Sequence, residues 1–232
     1  MNKKPASNHA TSPQTPPPTR DRILSAAAAL CRARGLDAVS IRDISAAVGI
    51  REASLYNHFR SKDELLGTMM DFLRSGISDA WFLDRSRSRE EEILRIQAEI
   101  KSSGLEALLT DAHESWIEAI RNRPPYLDIL RVVVSGQFHD GRAREAFRTY
   151  LYSDLADVHG VIFEAARRAR AVRSDLDLRD LTELYFAGLL LAFVKTFEQD
   201  SLEALSGEVR RHIRAFCAMA GWKAPGSVIR PA

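Results

Sequence analysis

Apolar residues recur at spacings of three and four along almost the whole chain, and no segment shows the period-two alternation of a strand. Ile23, Leu24, Ala27, Leu30 and Cys31 mark one face of a first helix, and Gly35 suits its left-handed end. Ser40 and Asp43 have the spacing of a capping box, opening a short helix with Ile41, Ile44 and Val48 inward. Gly49 permits a tight turn, and a second short helix is predicted from about Arg51 to Phe59 with Leu55 and Phe59 inward. Ser61 caps a further start at Lys62.

The same period continues beyond. Leu105, Leu108, Leu109, Ala112, Trp116 and Ile120 form one stripe, and Pro124-Pro125 breaks the chain before a helix carrying Leu127, Leu130 and Val134. Phe147, Leu151, Leu155, Val158 and Ile162 predict a long helix whose basic end holds Arg167, Arg168 and Arg170. Residues 178–198 are apolar nearly all round, and Leu202, Leu205, Val209, Ile213 and Phe216 give a last helix. Within 85–103 the charged portion Arg85 to Glu92 reads as loop, with a short helix around Ile93–Ile100. The fold class is all-α.

Composition narrows the setting. With 232 residues, 45% hydrophobic and 28% charged, the chain is globular rather than disordered, collagenous or fibrous. The longest apolar run, Tyr185 to Val194, falls short of the roughly 18 residues that span a bilayer, so no membrane partner is expected. The lack of an apolar stretch after the first lysines, and the two distant cysteines Cys31 and Cys217, fit a reducing cytoplasm. The net charge of +2 divides unevenly: residues 1–66 carry ten Lys/Arg against six Asp/Glu, residues 67–232 twenty-three against twenty-five. A polyanion is therefore expected to meet the N-terminal third. Residues 1–18, rich in Pro, Ser, Thr and Asn, read as a disordered arm, and Lys3 and Lys4 as part of an inert tail.

Catalytic signatures are missing: there is no HExxH, no phosphate-cradling glycine loop and no serine elbow, so neither an enzyme nor a cofactor is expected. His113 and Glu114 with Glu118 hint at a metal site, but that spacing reads more simply as a solvated helix face.

A short helix, a glycine turn and a second short helix braced by a preceding one form a helix-turn-helix, whose second helix must protrude to enter a major groove about 12 Å wide. Ile23-Leu24, Ala26-Ala27, Leu30 and Gly35, then Ser40-Ile41, Ile44, Ala47-Val48-Gly49-Ile50 and Ala53, then Leu55-Tyr56, His58-Phe59, Ser61-Lys62 and Leu65 closely resemble the N-terminal domain of the TetR family of bacterial transcriptional regulators over about residues 20–66. The resemblance implies a homodimeric regulator, usually a repressor, whose larger C-terminal body binds a small molecule and releases DNA. It implies phosphate contacts for Ser40, Tyr56, His58 and Lys62, and operator-dependent contacts for Arg51, Glu52, Ser54 and Asn57. Three positions depart from the family pattern: Arg51 replaces a usual Ser or Thr cap, Ser45 an alanine and Cys31 a phenylalanine. Arg51 cannot accept from the exposed N–H groups, which makes it a candidate donor to phosphate or guanine.

The expected organisation is thus an arm (1–18), a DNA-binding domain (19–66), a ligand-binding and dimerisation domain (67–222) and a tail (223–232). Aromatics such as Trp81, Phe138 and Phe163 read as core. Trp116, Tyr126, Phe147 and Tyr150 are candidate walls of a cavity for a small hydrophobic or amphipathic effector. Residues 178–198 and 201–220 suit a homodimer interface on a pseudo-palindromic operator. Two other readings stay open: a helical DNA-binding regulator without an effector, and a carrier or enzyme retaining a vestigial DNA domain.

Overall fold

α1, Thr19–Arg34, buries Ile23, Leu24, Ala27, Ala28 and Cys31, the face that the three-and-four spacing marks. The computed structural model describes residues 18–80, 83–84, 86–197, 199 and 201–221, the side chains of 77–80 excepted. Most of the arm, Trp81 and the tail lie outside the described residues. α2, Ile41–Val48, and α3, Glu52–Tyr56, complete the small N-terminal unit. α3 is shorter than its predicted span; beyond it the amides of His58 and Phe59 both donate to the Leu55 carbonyl and close one further turn.

α4, Lys62–Ala80, carries the chain through the expected 66/67 boundary without a break. α5, Arg89–Ser103, starts earlier than its sequence reading. Ser88 accepts from the Glu91 amide, and the Glu91 side chain accepts from the Ser88 amide, so Arg89 to Glu92 is a capped first turn rather than loop, while 86–88 stay outside the helix. Glu92, buried in that turn, pairs with Arg95 at 2.9 Å. α6 is Leu105–Arg121 and α7 is Tyr126–Gly136. α8, Gly141–Ala146, and α9, Asp154–Arg168, are joined by a π-helical turn over Phe147–Ser153 that the uninterrupted apolar stripe conceals. α10, Leu178–Thr196, and α11, Leu202–Ala220, pack on each other, with α11 against α6 and α10 against α9.

Among the described residues there is no β-strand; Val172 and Gly221 form one isolated bridge. One apolar core runs through both units because α7 packs on α1 and on α4. Leu184, Leu191 and Val194 of α10 and Met219 of α11 remain exposed in the single chain.

Candidate nucleic-acid interface and interior cavity

The N-terminal unit is assembled from caps. The Ser40 hydroxyl accepts from the Asp43 amide at 3.1 Å, while an Asp43 carboxylate oxygen accepts from the Ser40 amide at 2.9 Å and from the hydroxyl itself. These bonds hold the Asp43 carboxyl below its ordinary range. They also commit the Ser40 hydroxyl to the helix start. At the far end Gly49 takes φ +76, which an L side chain rarely adopts, and its amide caps the Ser45 and Ala46 carbonyls. Arg22 of α1 then donates to the Val48 carbonyl at 2.8 Å, fixing α2 to its brace.

Ile44, Leu55 and Phe59 are completely buried and set the angle between α2 and α3. Arg20 lies over the Phe59 ring at 4.6 Å. On this foundation Arg51, Glu52, Tyr56, Asn57 and His58 all face solvent, and Ser54 is half-buried. Tyr56 keeps 49% of its surface exposed, high for an aromatic residue. Arg51 occupies the α3 N-cap without a side-chain cap bond, as the substitution of a cation for a hydroxyl requires. Ser61 caps α4 by accepting from the Glu64 amide at 3.1 Å. Lys62 is half-buried and donates to the Asp37 carbonyl at 3.3 Å. α3 thus presents polar side chains to solvent, and Lys62 at the α4 start is half-buried. Arg42 and Arg60 are also exposed cations of this unit.

The body holds a partly open apolar cavity of about 70 Å³. Leu130 and Val134 of α7 face Leu151 of the π turn and Leu155 of α9. Phe186, Leu189, Leu190 and Phe193 of α10 meet Leu205 and Val209 of α11, and Trp116 and His113 of α6 complete the wall. Of the four sequence candidates, Trp116 lines this cavity; Tyr126, Phe147 and Tyr150 are not among its lining side chains. Tyr126 is fully buried edge-on to Trp116 and presses on Gly76 of α4. Phe147 packs partly buried on the core, and Tyr150 receives the Arg74 guanidinium 5.6 Å from its ring centre.

His113 is not on a solvated face with its acidic neighbours. It is 3% exposed and points inward, whereas Glu114 pairs with Arg210 at 2.5 Å and Glu118 with Arg121 at 3.0 Å. Among the described residues no group of three metal-ligating side chains converges. Instead His113 stacks toward His159, ring centres 6.2 Å apart, with Tyr185 at 5.8 Å from the first and 4.9 Å from the second. Each histidine places Nδ1 2.7 Å from the carbonyl four residues earlier, Leu109 for His113 and Leu155 for His159. Burial removes the hydration of the imidazolium, pushing His113 down to about 4 and His159 to about 3. Burial likewise drives the Tyr185 phenol up. Both histidines are therefore neutral at pH 7. A signal for them existed in the sequence: each lies four residues beyond a leucine of an apolar stripe.

Comparison with known proteins agrees with this geometry. Residues 23–69 match the family model described as bacterial regulatory proteins, tetR family. The HTH-type transcriptional repressor KstR2 of Rhodococcus jostii is 30% identical over 173 residues, 71% of this chain and 77% of that protein. KstR2 of Mycobacterium tuberculosis is 44% identical over 68 residues, 29% of this chain and 32% of that one. Among solved structures, SmeT, the repressor of a Stenotrophomonas maltophilia multidrug efflux pump, superposes with TM-score 0.56 at 17% identity, covering 92% of this chain and 96% of its own. A TetR transcription regulator of Haloarcula marismortui gives 0.60 at 16% identity, covering 88% and 98%. Those identities establish a shared fold, and the Rhodococcus relative extends the likeness across most of both sequences. The chain belongs to the TetR family of bacterial transcriptional regulators.

Proposed function

We propose that the chain is a ligand-released repressor that binds a pseudo-palindromic operator as a homodimer. The observation that carries the DNA-binding part is the solvent-facing row Glu52, Tyr56, Asn57 and His58 raised on the fully buried Leu55 and Phe59. In this reading Tyr56, His58, Lys62 and the Ser40 cap region position the protein on phosphates, while Arg51, Glu52, Ser54 and Asn57 meet base edges. Glu52 repels phosphate, so its place is against a cytosine amino group. The names of the relatives support repression rather than activation.

The exposed apolar side chains Leu184, Leu191, Val194 and Met219 support a two-fold interface through 178–198 and 201–220, since such a patch is buried by a second copy. Two α3 helices then lie about one DNA turn apart, roughly 34–36 Å. α7 supports the coupling. Leu130 and Val134 wall the cavity, while Asp128 of the same helix pairs with Arg32 of α1 at 3.2 Å. A small hydrophobic or amphipathic effector that favours one seating of α7 would shift the spacing of the heads and lower operator affinity by linkage.

Selection of bound duplexes from a random pool, followed by sedimentation of the complex, tests this reading. A two-fold-symmetric consensus bound by an even number of chains is expected. An asymmetric consensus bound by one chain would overturn it.

A further inference from the structure

Resting on that reading of Lys62, we propose that Arg142 of the body is a positioning residue for operator binding: it covers the Asp63 carboxylate and so leaves the start of α4 open to a DNA phosphate. Three charged residues open α4, Lys62, Asp63 and Glu64, and two of them repel a polyanion. Lys62 donates to the Asp37 carbonyl. Glu64 folds back and accepts from the Arg60 amide at 2.7 Å. Asp63 instead meets the Arg142 guanidinium at 2.5 Å, a residue 79 positions further along the chain and at the start of α8.

A helix start that carries a lysine attracts phosphate, but a bare carboxylate on the next residue meets that phosphate as a like charge. Paired with a guanidinium, the carboxylate presents no net charge, and the repulsion fades. The body holds the guanidinium in place. Asp140 caps α8 by accepting from the Arg142 and Ala143 amides at 2.8 and 2.9 Å. Ala143 is fully buried, and a methyl added at Gly136, the end of α7, would lie 3.0 Å from its Cβ, so α8 sits directly on α7. α7 walls the cavity with Leu130 and Val134, and the π turn that follows α8 walls it with Leu151. The body as well as the N-terminal unit therefore sets the charge that a phosphate meets. Both side chains of the pair reach solvent, and such a pair contributes little to folding, so its effect belongs to DNA binding rather than to stability.

Binding of the full chain and four variants to the selected duplex and to a scrambled one tests the proposal. Arg142→Ala is expected to weaken both duplexes about 5-fold at about 50 mM salt, and by less at about 200 mM, where exposed charges are screened. Arg142→Lys keeps the charge and is expected to stay within about 2-fold of the wild type. Asp63→Asn removes the carboxylate and is expected to bind at least as tightly as the wild type. Arg142→Ala combined with Asp63→Asn should match Asp63→Asn alone, because nothing is left to cover. Equal losses in Asp63→Asn and Arg142→Ala would make the pair a structural strut and overturn the proposal. A combined variant weaker than Asp63→Asn would place Arg142 on the phosphate itself, and would overturn it as well. The two readings separate in the wild type. A wild-type chain indifferent to every duplex sinks the operator reading and this proposal with it, whereas specific wild-type binding beside an unaffected Arg142→Ala sinks the proposal alone.

Discussion

The Arg22 guanidinium donates to the Val48 carbonyl across 2.8 Å, joining residues 26 positions apart at the last turn of α2. A carbonyl at a helix end has no intrahelical partner, and the cation meets it where the helix dipole is negative. Replacement by alanine is expected to cost about 1 kcal/mol of stability, since the bond is only partly buried. Urea unfolding of Arg22→Ala measures the cost, and operator affinity should fall with it. Unchanged stability would show that Gly49 alone suffices to end α2.

Gly76 is a second such junction. A methyl added there would lie 2.1 Å from Tyr126 Cε2, and Tyr126 is fully buried against Trp116. The ring cannot step aside cheaply, so Gly76→Ala is expected to destabilise the chain by about 1–3 kcal/mol through overpacking. The strain falls on the seating of α4 against α7, so operator affinity should change as well. A fully stable, fully binding variant would mean that this junction yields.

Acid sensitivity follows from the buried histidines. The unfolded chain takes up protons near pH 6.5, whereas folded His113 waits until about 4 and His159 until about 3. Their contribution is complete above pH 6.5 and is lost as the pH falls toward those values, because protons then favour the unfolded state. Two such groups steepen the loss to about 2.7 kcal/mol per pH unit within the window. His212, also lowered by burial, acts in the same direction. Chemical denaturation at pH 7.0 and pH 5.5 should show the drop before the carboxylates begin to titrate. Equal stability at the two values would contradict it.

Lys62 and Arg51 should separate by behaviour. Lys62→Ala is expected to weaken all duplexes alike and to reduce the salt slope by about one for each phosphate that the lysine no longer neutralises. Arg51→Ala should instead relax preference at one base pair and cost about 1–3 kcal/mol on the preferred site. Binding of a panel of single-base variants at fixed salt distinguishes them. An unchanged preference in Arg51→Ala moves that residue to the backbone.

What could be read from the sequence was local. Ser40, Asp43 and Gly49 act within a few residues, so both ends of α2 were legible, as were the inward Ile44, Leu55 and Phe59. The Ser88–Glu91 box carries the same local signature, but the charge density around it resembles loop, which hides the start of α5 at Arg89. The cavity depends on residues as distant as Leu130 and Leu205, and no spacing rule announces which aromatic of a stripe will face it. Trp116 does; Tyr126 on the next helix is taken up by Gly76. The π turn, likewise, leaves the apolar stripe of its helix intact and so leaves no mark in the pattern.

The central claim is that α3 is a DNA-reading probe. Fluorescence anisotropy with the selected duplex and a scrambled one, from about 50 to 200 mM salt, tests it most directly. Affinity is expected to fall steeply with salt on both, with a preference of at least about 10³ for the selected duplex that persists at the higher salt. Equal affinity for the two duplexes at every salt concentration would contradict it.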